Sequence, residues 1–569
     1  MGVKAEEQLD QLVVRRLDRL VNARRFVFSW LLLLALLGGG VVYQLSALGS
    51  QYKVFKATSG GTYNEGIIGS FTNSNPLYAT GPVDGAVSRL LFAGLLKHDQ
   101  SNKLVGDLAE SYKVDAKGST YTVVLRKDLR WHDGKPLTSE DVVYTYRTIQ
   151  NPDAKSPLMS SWQGVQINAT DSRTIQFVLP NSLSAFPFSL TNGIVPKHLL
   201  AKLPVSQLRS AQFNTDKPVG SGPFVWSAIE VTGQTSDDRQ ERIALLANKD
   251  YYDGSPKLDR FEIKTFRNED AMRDSFARKE LTAMSGLDMV PDLLQASPKL
   301  QEHNTPLTSQ AMVFFKNSHE VLKDPKIRQA LVYSTDQNDL LRNMPYPVLA
   351  SRQPLLPFHV GYNSSLNQLA FDAAAANKLL DEAGWVKSGN GIRAKAEQPL
   401  TFRLFAQNSG EYAYVSQKLQ KDWRRVGIDV QVLLQDDIDL RSTVANHNYD
   451  ALLYAISLGN DADVLPYWYS TQADATAANR VNFSEYKSTA ADKALEAGRT
   501  RSDAQIRAIK YKPFLEAWRT DAPAIALYQP RYLYLTEGEV DGLNLTMMNS
   551  SNDRYANVYN WMIRQEAVN

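Results

Sequence analysis

The N-terminal part of the chain shows two different hydrophobic patterns in succession. In residues 1–25, apolar positions recur near the helical period between charged ones, which predicts an amphipathic helix on a membrane surface or against a partner. From Phe26 to Leu48 no residue is charged. At about 1.5 Å of rise per residue, a helix over this run is long enough for the roughly 30 Å hydrocarbon core of a bilayer. We therefore expect residues 26–48 to form a transmembrane helix.

The flanking charges predict the orientation of this helix. Arginines crowd its N-terminal side, whereas only Lys53 and Lys56 follow it closely. The positive-inside rule then places residues 1–25 in the cytoplasm and the body of the protein in an extracellular or periplasmic space. A signal peptide cleaved at Ala47-Leu48-Gly49 remains an alternative, although the apolar run exceeds the roughly 7 to 15 residues typical of one. A helix buried in the core is the third possibility.

The body of the chain alternates between the period of a strand and the period of a helix. Residues 121–125 alternate apolar and polar positions, which predicts a half-buried strand. Asp133-Gly134 predicts a turn, and Thr138 can cap a helix whose apolar positions recur at i, i+4 and i+7 up to Ile149. Further helical patterns end at Gly384 and lead into a strand near residue 430. This alternation predicts an α/β architecture.

Composition removes several classes of function. The chain has no cysteine, which excludes disulfides, thiolate metal sites, cysteine nucleophiles and a cysteine-linked lipid. Lys and Arg number 63 and Asp and Glu 61, and the small excess lies within residues 1–25. The rest of the chain is formally neutral, whereas nucleic-acid binding requires a basic surface. We expect no nucleic-acid partner. The length of 569 residues exceeds what one core supports, so several lobes are expected.

The sequence lacks the common motifs of catalysis. It contains no Gly-x-Ser-x-Gly, no His-Glu-x-x-His and no Gly-x-x-x-x-Gly-Lys-Ser/Thr. Ser221, within Gly-Ser-Gly-Pro, fits a tight turn better than a nucleophile. The histidines, at positions 98, 132, 198, 303, 319, 359 and 447, form no pair at the i, i+4 spacing of metal ligands. We expect no enzymatic activity, no resident metal and no cofactor.

Several segments occur in an order that is characteristic of one protein family. They are LFAGLLKHD (91–99), the long block from Leu104 to Pro157 around WHDGKPLTSEDVVYTYRTI, PVGSGPF (218–224), YYDGSPKLDRFEIKTF (251–266), LKDPKIRQALVYSTD (322–336), FDAAAANKLLDEAGW (371–385) and APAIALYQPRY (522–532). This order resembles family 5 of the extracellular solute-binding proteins of ABC importers, which includes dipeptide, oligopeptide and nickel binders. Residues 91–99 are similar to the family's early helix.

The resemblance implies a fold as well. It is an α/β, bilobed clamp like the periplasmic binding proteins of class II, with an extra subdomain, preceded here by the N-terminal transmembrane helix. By analogy, lobe I takes residues 57–100, 218–310 and 525–569, the extra subdomain takes 101–217, and lobe II takes 311–524.

The resemblance also implies a function and a site. A monomeric binding protein of this kind encloses a peptide or another small solute between its lobes by hinge closure and delivers it to an ABC permease. The segments 70–78, 156–162 and 449–468 align with ligand-facing parts of the family. The candidate ligand-binding residues within them are Phe71, Thr72, Asn73, Ser74, Asn75, Met159, Trp162, Ser457, Gly459, Asp461 and Trp468.

The sequence departs from the family's peptide binders at one place. Those proteins carry a Gly-Trp pair closely followed by an aspartate that pairs with the α-amino group of the peptide. Here the pair reads Ala455-Ile456, and the aspartate position falls on Gly459 or, after a short slip, on Asp461. Asp461 and Asp463 are candidate amine partners or ordinary loop acids. Ligands without a free amine, oligosaccharides and nickel chelates therefore remain open, as do a membrane-anchored sensor and a hydrolase.

Overall fold

The computed structural model describes residues 23–24, 26–44, 54–233, 239–287, 289–295, 297–344, 346, 348–474, 480–501 and 503–568. Its α-helices are α1 (Phe26–Gln44), α2 (Pro82–Leu91), α3 (Ser139–Gln150), α4 (Lys197–Leu200), α5 (Glu269–Ala277), α6 (Asp292–Gln295), α7 (Pro325–Tyr333), α8 (Gln337–Arg342), α9 (Ala373–Glu382), α10 (Gly410–Arg425), α11 (Asp437–Ala445), α12 (Leu465–Trp468), α13 (Thr489–Arg499) and α14 (Ala504–Asp521).

The strands are short and numerous. They are β1 (Val54–Thr58), β2 (Thr62–Ile68), β3 (Leu96–His98), β4 (Leu104–Gly106), β5 (Ala109–Val114), β6 (Thr120–Leu125), β7 (Gln166–Ala169), β8 (Thr174–Val178), β9 (Phe224–Thr232), β10 (Gln240–Ala247), β11 (Arg260–Phe266), β12 (Ala283–Leu287), β13 (Leu300–Pro306), β14 (Ser309–Phe315), β15 (Leu349–Ala350), β16 (Val386–Lys387), β17 (Arg393–Lys395), β18 (Gln398–Pro399), β19 (Thr401–Gln407), β20 (Asp429–Gln435), β21 (Ala451–Ser457), β22 (Ala524–Gln529), β23 (Arg531–Glu537) and β24 (Arg564–Val568).

The helix α1 is the only one, among the described residues, that is long and apolar enough to cross a membrane. Its side chains are exposed along its whole length, including those of Phe26, Trp30 and Leu32. The expected extension to residue 48 and nearly all of the expected amphipathic tail lie outside the described residues. The strands β1 and β24 pair with each other in antiparallel register.

Residues 59–563 form one compact unit that contains two large mixed sheets. The first has seven strands in the order β13-β23-β12-β2-β11-β10-β9, and the second has six in the order β15-β22-β14-β21-β19-β20. Successive residues of a strand point to opposite faces of its sheet. In β14, Val313 and Phe315 accordingly pack in one apolar core, whereas Met312 and Phe314 pack in another. The second sheet is therefore buried on both faces.

The chain crosses between these two sheets twice, once from β13 to β14 and once from β22 to β23. The two crossings are tied together, because the N–H of Leu307 donates to the carbonyl of Pro530 (3.0 Å) and Nε2 of Gln529 donates to the carbonyl of Leu307 (2.7 Å). This is the expected bilobed arrangement, with lobe I around the first sheet and lobe II around the second. Residues 525–529, expected in lobe I, lie in β22 of the second sheet, so the second crossing falls at Pro530.

The segment between β4 and β9 contains a four-stranded sheet in the order β5-β6-β8-β7, which we call the subdomain sheet. The predicted strand–turn–helix unit is confirmed here. β6 buries Tyr121, Val123 and Leu125, and α3 begins at Ser139. The carboxylate of Asp141 accepts a hydrogen bond from the N–H of Thr138 (2.9 Å), which satisfies a donor that precedes the helix.

Residues 91–99 resemble the family's early helix, but only Leu91 among them is helical in this structure. α2 ends at Leu91, and residues 96–98 form β3, which pairs with β4. Between them the chain passes close to another segment, since a Cβ on Gly94 would lie 2.6 Å from the carbonyl oxygen of Thr191. This close approach leaves no room for a side chain at residue 94.

Candidate ligand-binding cleft

The loop between β2 and α2 contains the first group of predicted ligand-binding residues. The carboxylate of Asp84, in the first turn of α2, accepts hydrogen bonds from the N–H groups of Thr72 (2.7 Å) and Asn73 (3.0 Å) and from the hydroxyl of Thr72 (2.5 Å). The N–H of Phe71 donates to the carboxylate of Glu241 (2.6 Å). Hydrogen bonds to carboxylates are short and strong. The loop is therefore held in one conformation by two buried acids.

Most side chains of this loop are used to hold it in place. The hydroxyl of Ser74 donates to the carbonyl of Asn214 (2.7 Å), and Nδ2 of Asn75 donates to Oδ1 of Asn214 (3.1 Å). Asn73, Ser74 and Asn75 are buried, whereas Thr72 is exposed. Of the predicted residues in this loop, Thr72 is the one whose side chain solvent reaches most easily.

The loop after β21 carries two carboxylates that are paired with arginines. Arg507 of α14 donates to both oxygens of Asp461 (2.9 and 2.6 Å), and Arg499 of α13 donates to Asp463 (2.8 Å). Burial raises the pKa of Asp463, against the opposing effect of Arg499. A ligand amine at Asp461 would therefore compete with the guanidinium of Arg507, and the amine-binding role of Asp461 stays a prediction.

The same loop turns at Gly459, which has a left-handed backbone (φ +67°). Its carbonyl accepts a hydrogen bond from Nε2 of His359 (2.9 Å), and Nδ1 of that ring accepts from the N–H of Leu356 (3.1 Å). Burial lowers the pKa of His359 to about 4, so the ring is neutral near pH 7. The histidine fixes the position of Gly459. Ser457 is exposed, and its carbonyl accepts from the hydroxyl of Tyr467 (2.8 Å).

The two predicted tryptophans occupy different environments. Trp162 stacks on Tyr146 with 4.0 Å between ring centroids and also lines a cavity. Trp468 is fully buried, where it contacts Phe314 and Trp518 in the core of lobe II. A ligand contact by Trp468 stays a prediction, because the ring supports the core in this conformation. Met159 is partly exposed in the loop before Trp162.

Two neighbouring cavities lie on either side of Ser161. The large cavity, about 830 Å³, is bounded by Val165, Leu183 and Phe186 on the subdomain side and by Leu465, Tyr469 and Arg499 on the lobe II side. The small cavity, about 390 Å³, is bounded by Arg89, His98, Trp162, Phe188, Asn552 and Asp553. Ser161 lines both of them, so the loop that contains Met159 and Trp162 separates the two.

Hydrogen bonds join the two walls of the large cavity. The N–H and the hydroxyl of Ser184 both donate to the carbonyl of Arg499 (3.1 Å each), and the hydroxyl of Ser182 donates to the carbonyl of Thr500 (3.0 Å). These carbonyls stand at the C-terminal end of α13, where helix carbonyls lack partners within the helix. A second contact lies nearby, since Nδ2 of Asn460 in lobe II donates to the carbonyl of Asn102. The subdomain and lobe II are therefore in contact around the cavity.

A third cavity, about 750 Å³, lies beside the second crossing. Leu287 and Arg531 line it from the lobe I sheet, and Tyr346 and Glu411 line it from lobe II. Glu411 accepts hydrogen bonds from the hydroxyls of Tyr346 and Tyr528. Among the residues with described positions, no group of three or more His, Asp or Glu side chains could hold a metal ion.

Comparison with known proteins assigns the chain to a family. Residues 103–479 match the family described as bacterial extracellular solute-binding proteins, family 5, middle region. The chain belongs to this family. It is 25% identical over 485 residues to the oligopeptide-binding protein AppA of Bacillus subtilis, which covers 84% of this chain and 87% of AppA. It is 27% identical over 475 residues to protein XP55 of Streptomyces lividans, which covers 81% of this chain and 83% of XP55.

Solved structures of family 5 relatives share the fold. The structure of AppA from Bacillus subtilis in complex with a nonapeptide has a TM-score of 0.71 at 24% identity and covers 90% of this chain and 100% of AppA. That of NikZ from Campylobacter jejuni in complex with Ni(L-His) has a TM-score of 0.73 at 23% identity and covers 88% of this chain and 99% of NikZ. The predicted family and the bilobed fold of this family 5 protein are confirmed.

Several residues around the cavities of this family 5 protein were not predicted from its sequence. They are Arg499, Arg507, His98, Asn549 and Asn552. The partners that bring them to the cavities are distant in sequence, such as Asp461 for Arg507 and Asn549 for His98, so no local spacing could have indicated these contacts. The apolar wall residues of the large cavity carry no sequence signal either, since leucine, valine and phenylalanine occur throughout the cores.

Proposed function

We propose that this protein captures peptides between its two lobes by hinge closure and delivers them unchanged to an ABC permease. One observation carries the proposal: a cavity of about 830 Å³ is bounded on one side by the subdomain and on the other by lobe II. A cavity divided between the subdomain and lobe II can open and close with their relative motion. Its mixture of apolar walls with a few polar groups is typical of a ligand site.

The peptide class is supported by the relatives and by the geometry together. The relative from Bacillus subtilis is named an oligopeptide-binding protein, and its structure contains a nonapeptide. In this chain the large and small cavities adjoin at Ser161, which suits an extended ligand better than a compact one. Peptide main chains are recognised by hydrogen bonds, and side-chain pockets add specificity. The bounds of the lobes, the monomeric state and the eleven predicted contact residues belong to the same proposal.

The absence of catalysis is also part of this proposal. Members of the family are solute-binding proteins. The buried histidines support this view, because His132 and His359 each bond with two backbone groups and have pKa values lowered to about 4 by burial. A histidine so engaged is a structural group and not a general base near pH 7.

Anchoring through α1 would keep the binding protein close to its permease. The helix is apolar and exposed along its length, which suits a lipid environment. With the positive flank in the cytoplasm, the lobes would lie outside the membrane. A tether raises the effective concentration of the binding protein at the permease without any new contact. Fractionation with alkaline carbonate tests this point: an anchored protein stays with the membrane, whereas a cleaved one is released.

The test of function is the identity of the molecules that copurify with the full-length protein. Gentle purification followed by denaturation and mass spectrometry should release peptides of mixed sequence. Recovery of oligosaccharides or of a nickel chelate would replace peptide as the ligand class while keeping the binding role. Turnover of a peptide pool by the purified protein would contradict the binding role itself. A binding isotherm for the recovered peptides, with compaction measured by small-angle scattering, completes the test.

A further inference from the structure

The small cavity has two buried polar atoms that lack partners. Nε2 of His98 and Oδ1 of Asn552 are inaccessible to solvent, and neither has a hydrogen-bond partner within the described part of the chain. Both residues line this cavity. The large majority of buried polar groups in folded proteins are hydrogen-bonded. Two unpaired atoms in the wall of one cavity therefore point to a polar group that binds there.

The position of the proton on His98 follows from its neighbour. Nδ2 of Asn549 lies 3.1 Å from Nδ1 of His98. An amide nitrogen only donates, so Nδ1 is the acceptor and the proton of the neutral ring is on Nε2. Burial lowers the pKa of His98, which keeps the ring neutral at pH 7. The cavity wall thus presents one donor, Nε2–H of His98, and one acceptor, Oδ1 of Asn552.

The charged groups named around the cavity each have a partner within the protein. Arg89 and Lys97 lie 3.7 and 3.6 Å from the carboxylate of Asp107, and Lys97 also pairs with Asp253 (2.9 Å). The carboxylate of Asp553 accepts hydrogen bonds from the N–H groups that begin its own short helix. The cavity does not require a charged ligand group to neutralise it.

We propose that the small cavity is a subsite for an amide group of the ligand, whose carbonyl accepts from Nε2–H of His98 and whose N–H donates to Oδ1 of Asn552. The inference deepens the proposed function and rests on it in so far as the protein binds a solute. A carboxylate would satisfy only His98, and an ammonium would satisfy only Asn552. The amide is planar, and Phe188, which stacks on His98 at 5.9 Å between centroids, gives the cavity a flat wall.

This subsite lies next to the contact between the subdomain and lobe II. Asn549, which sets the proton position on His98, also donates to Oδ1 of Asn102 (2.6 Å) and accepts from the hydroxyl of Thr308 (2.9 Å) at the first crossing. The carbonyl of Asn102 in turn accepts from Asn460 of lobe II. A ligand amide bound to His98 is therefore two side chains away from the contact between the subdomain and lobe II.

Two kinds of ligand contain such an amide group: a peptide has it in its peptide bonds, and an amino sugar has it in its acetamido group. We would measure calorimetrically the affinity of the full-length protein in detergent for tetra-alanine and for N,N′-diacetylchitobiose. His98→Phe keeps a flat ring against Phe188 but removes the donor, and we expect a roughly ten- to hundredfold loss of affinity for the probe that binds. His98→Gln can still donate and should recover part of the loss. His303→Phe, which changes a histidine of β13 outside this cavity, is the matched control and should keep the affinity.

A spectroscopic measurement on the unaltered protein covers the case in which a variant folds poorly. In protein labelled with ¹⁵N-histidine, the Nε2–H signal of His98 should shift when the probe is added. In Asn549→Asp the carboxylate only accepts, so the proton should move to Nδ1 of His98 and the affinity should fall although the histidine is present. If His98 had a purely structural role, neither the loss of affinity nor its link to the tautomer would be expected.

The outcomes separate this inference from the proposed function. If tetra-alanine binds the unaltered protein and His98→Phe equally well, with no shift of the His98 signal, the subsite is overturned while peptide binding stands. If only diacetylchitobiose binds, and depends on His98, the subsite stands and the peptide proposal fails. If neither amide-bearing probe binds the unaltered protein, the subsite is overturned.

Discussion

Arg507 donates to both carboxylate oxygens of Asp461, with nitrogen–oxygen distances of 2.9 and 2.6 Å. The two side chains are 7% and 12% exposed, so the pair is largely withdrawn from water. The guanidinium also lies over the ring of Tyr511, 5.7 Å from its centroid. Arg507 thus pairs with Asp461, the carboxylate that the sequence indicates as a partner for a ligand amine.

Replacement of Arg507 by methionine should destabilise the protein, because it leaves the carboxylate of Asp461 buried without a cation. We expect the free energy of unfolding to fall by about 3 kcal/mol, measured by urea denaturation. Arg441→Met is the matched control, since Arg441 pairs with Asp437 on the exposed face of one helix. The loss in this variant should be much smaller, because an exposed ion pair is screened by solvent. Equal losses in the two variants would show that the Arg507–Asp461 pair is no more important than a surface pair.

The same variant tests whether Asp461 can bind an amine. With Arg507 removed, the carboxylate is free to pair with a ligand cation, so the ratio of affinities for a free peptide and its N-acetylated form should rise about tenfold. The measurement is calorimetric titration of both forms into the unaltered and Arg507→Met proteins. Asp461→Asn in the same background should abolish the gain. A ratio that stays constant across all three proteins would remove Asp461 from amine recognition.

Acidification should destabilise the protein through two buried histidines. Burial lowers the pKa of His132 and of His359 from 6.5 to about 4. Between these values the unfolded chain binds a proton on each ring and the folded protein does not, so stability falls as the pH drops from 6.5 towards 4 and is unaffected by these rings above 6.5. The loss is about 3 kcal/mol for each ring.

Denaturant titrations at several pH values measure this loss. In His359→Gln the replacement amide can still donate to Gly459 but does not titrate. We therefore expect the pH dependence between 6.5 and 4 to weaken by about one proton's contribution. An unchanged slope in this variant would mean that His359 is protonated in the folded protein at the same pH as in the unfolded chain.

Loss of the serine hydroxyls at the large cavity should favour the open state. Ser182 and Ser184 bond to carbonyls at the end of α13, so replacing both by alanine removes two hydrogen bonds between subdomain and lobe II. We expect the ratio of closed to open protein without ligand to fall roughly tenfold. Because the chain has no cysteine, Lys117→Cys and Lys510→Cys allow selective labelling of the two sides for energy-transfer measurements.

Thr170→Ala is the control for that experiment. Its hydroxyl bonds within the subdomain, to the carbonyl of Thr174 (3.4 Å), and has no part in the contact between the lobes. The distance between the labels should therefore stay as in the unaltered protein. If the double serine variant behaves like Thr170→Ala, the hydroxyls do not contribute to closure.

Gly220 should not tolerate alanine. A Cβ at this position would lie 1.9 Å from the carbonyl oxygen of Leu91, which is backbone and cannot rotate away. We expect Gly220→Ala to lower the free energy of unfolding by about 3 kcal/mol, measured by denaturant titration. Gly81→Ala should have little effect, because no described atom lies within 4 Å of its Cβ position. A mild effect of Gly220→Ala would mean that α2 shifts easily at its C-terminal end.

The sequence predicts those parts of the fold that depend on local patterns. The strand of residues 121–125 and the helix that starts at Ser139 follow from periodicity and from the Asp141 carboxylate near the helix start. Residues 91–99 are expected to be helical only from their resemblance to the family's early helix, and the helix ends at Leu91. Beyond it, the backbone of Gly94 lies against Thr191, which is about a hundred residues away in sequence.

Most contacts of the candidate site could not be predicted from the sequence, because they also join segments that are distant along the chain. Asp461 and Asp463 could be indicated by their loop, but the pairing of Asp461 with Arg507 brings together residues 46 positions apart. The unpaired atoms of His98 and Asn552 are visible only when four separate segments meet around the small cavity. The spacing of residues along the chain does not indicate such contacts.

The place of β23 in the first sheet has a consequence for how the protein is made. This strand lies between β13 and β12, inside the sheet, although it comes near the end of the chain. The strands of the second sheet, in contrast, all fall between residues 309 and 529. During vectorial export lobe II can therefore acquire its complete core first. The gap between β12 and β13 in lobe I stays open until β23 arrives to close it. A chaperone or protease at the export site would meet this unfinished sheet while residues 307–530 are made, which is about two fifths of the polypeptide.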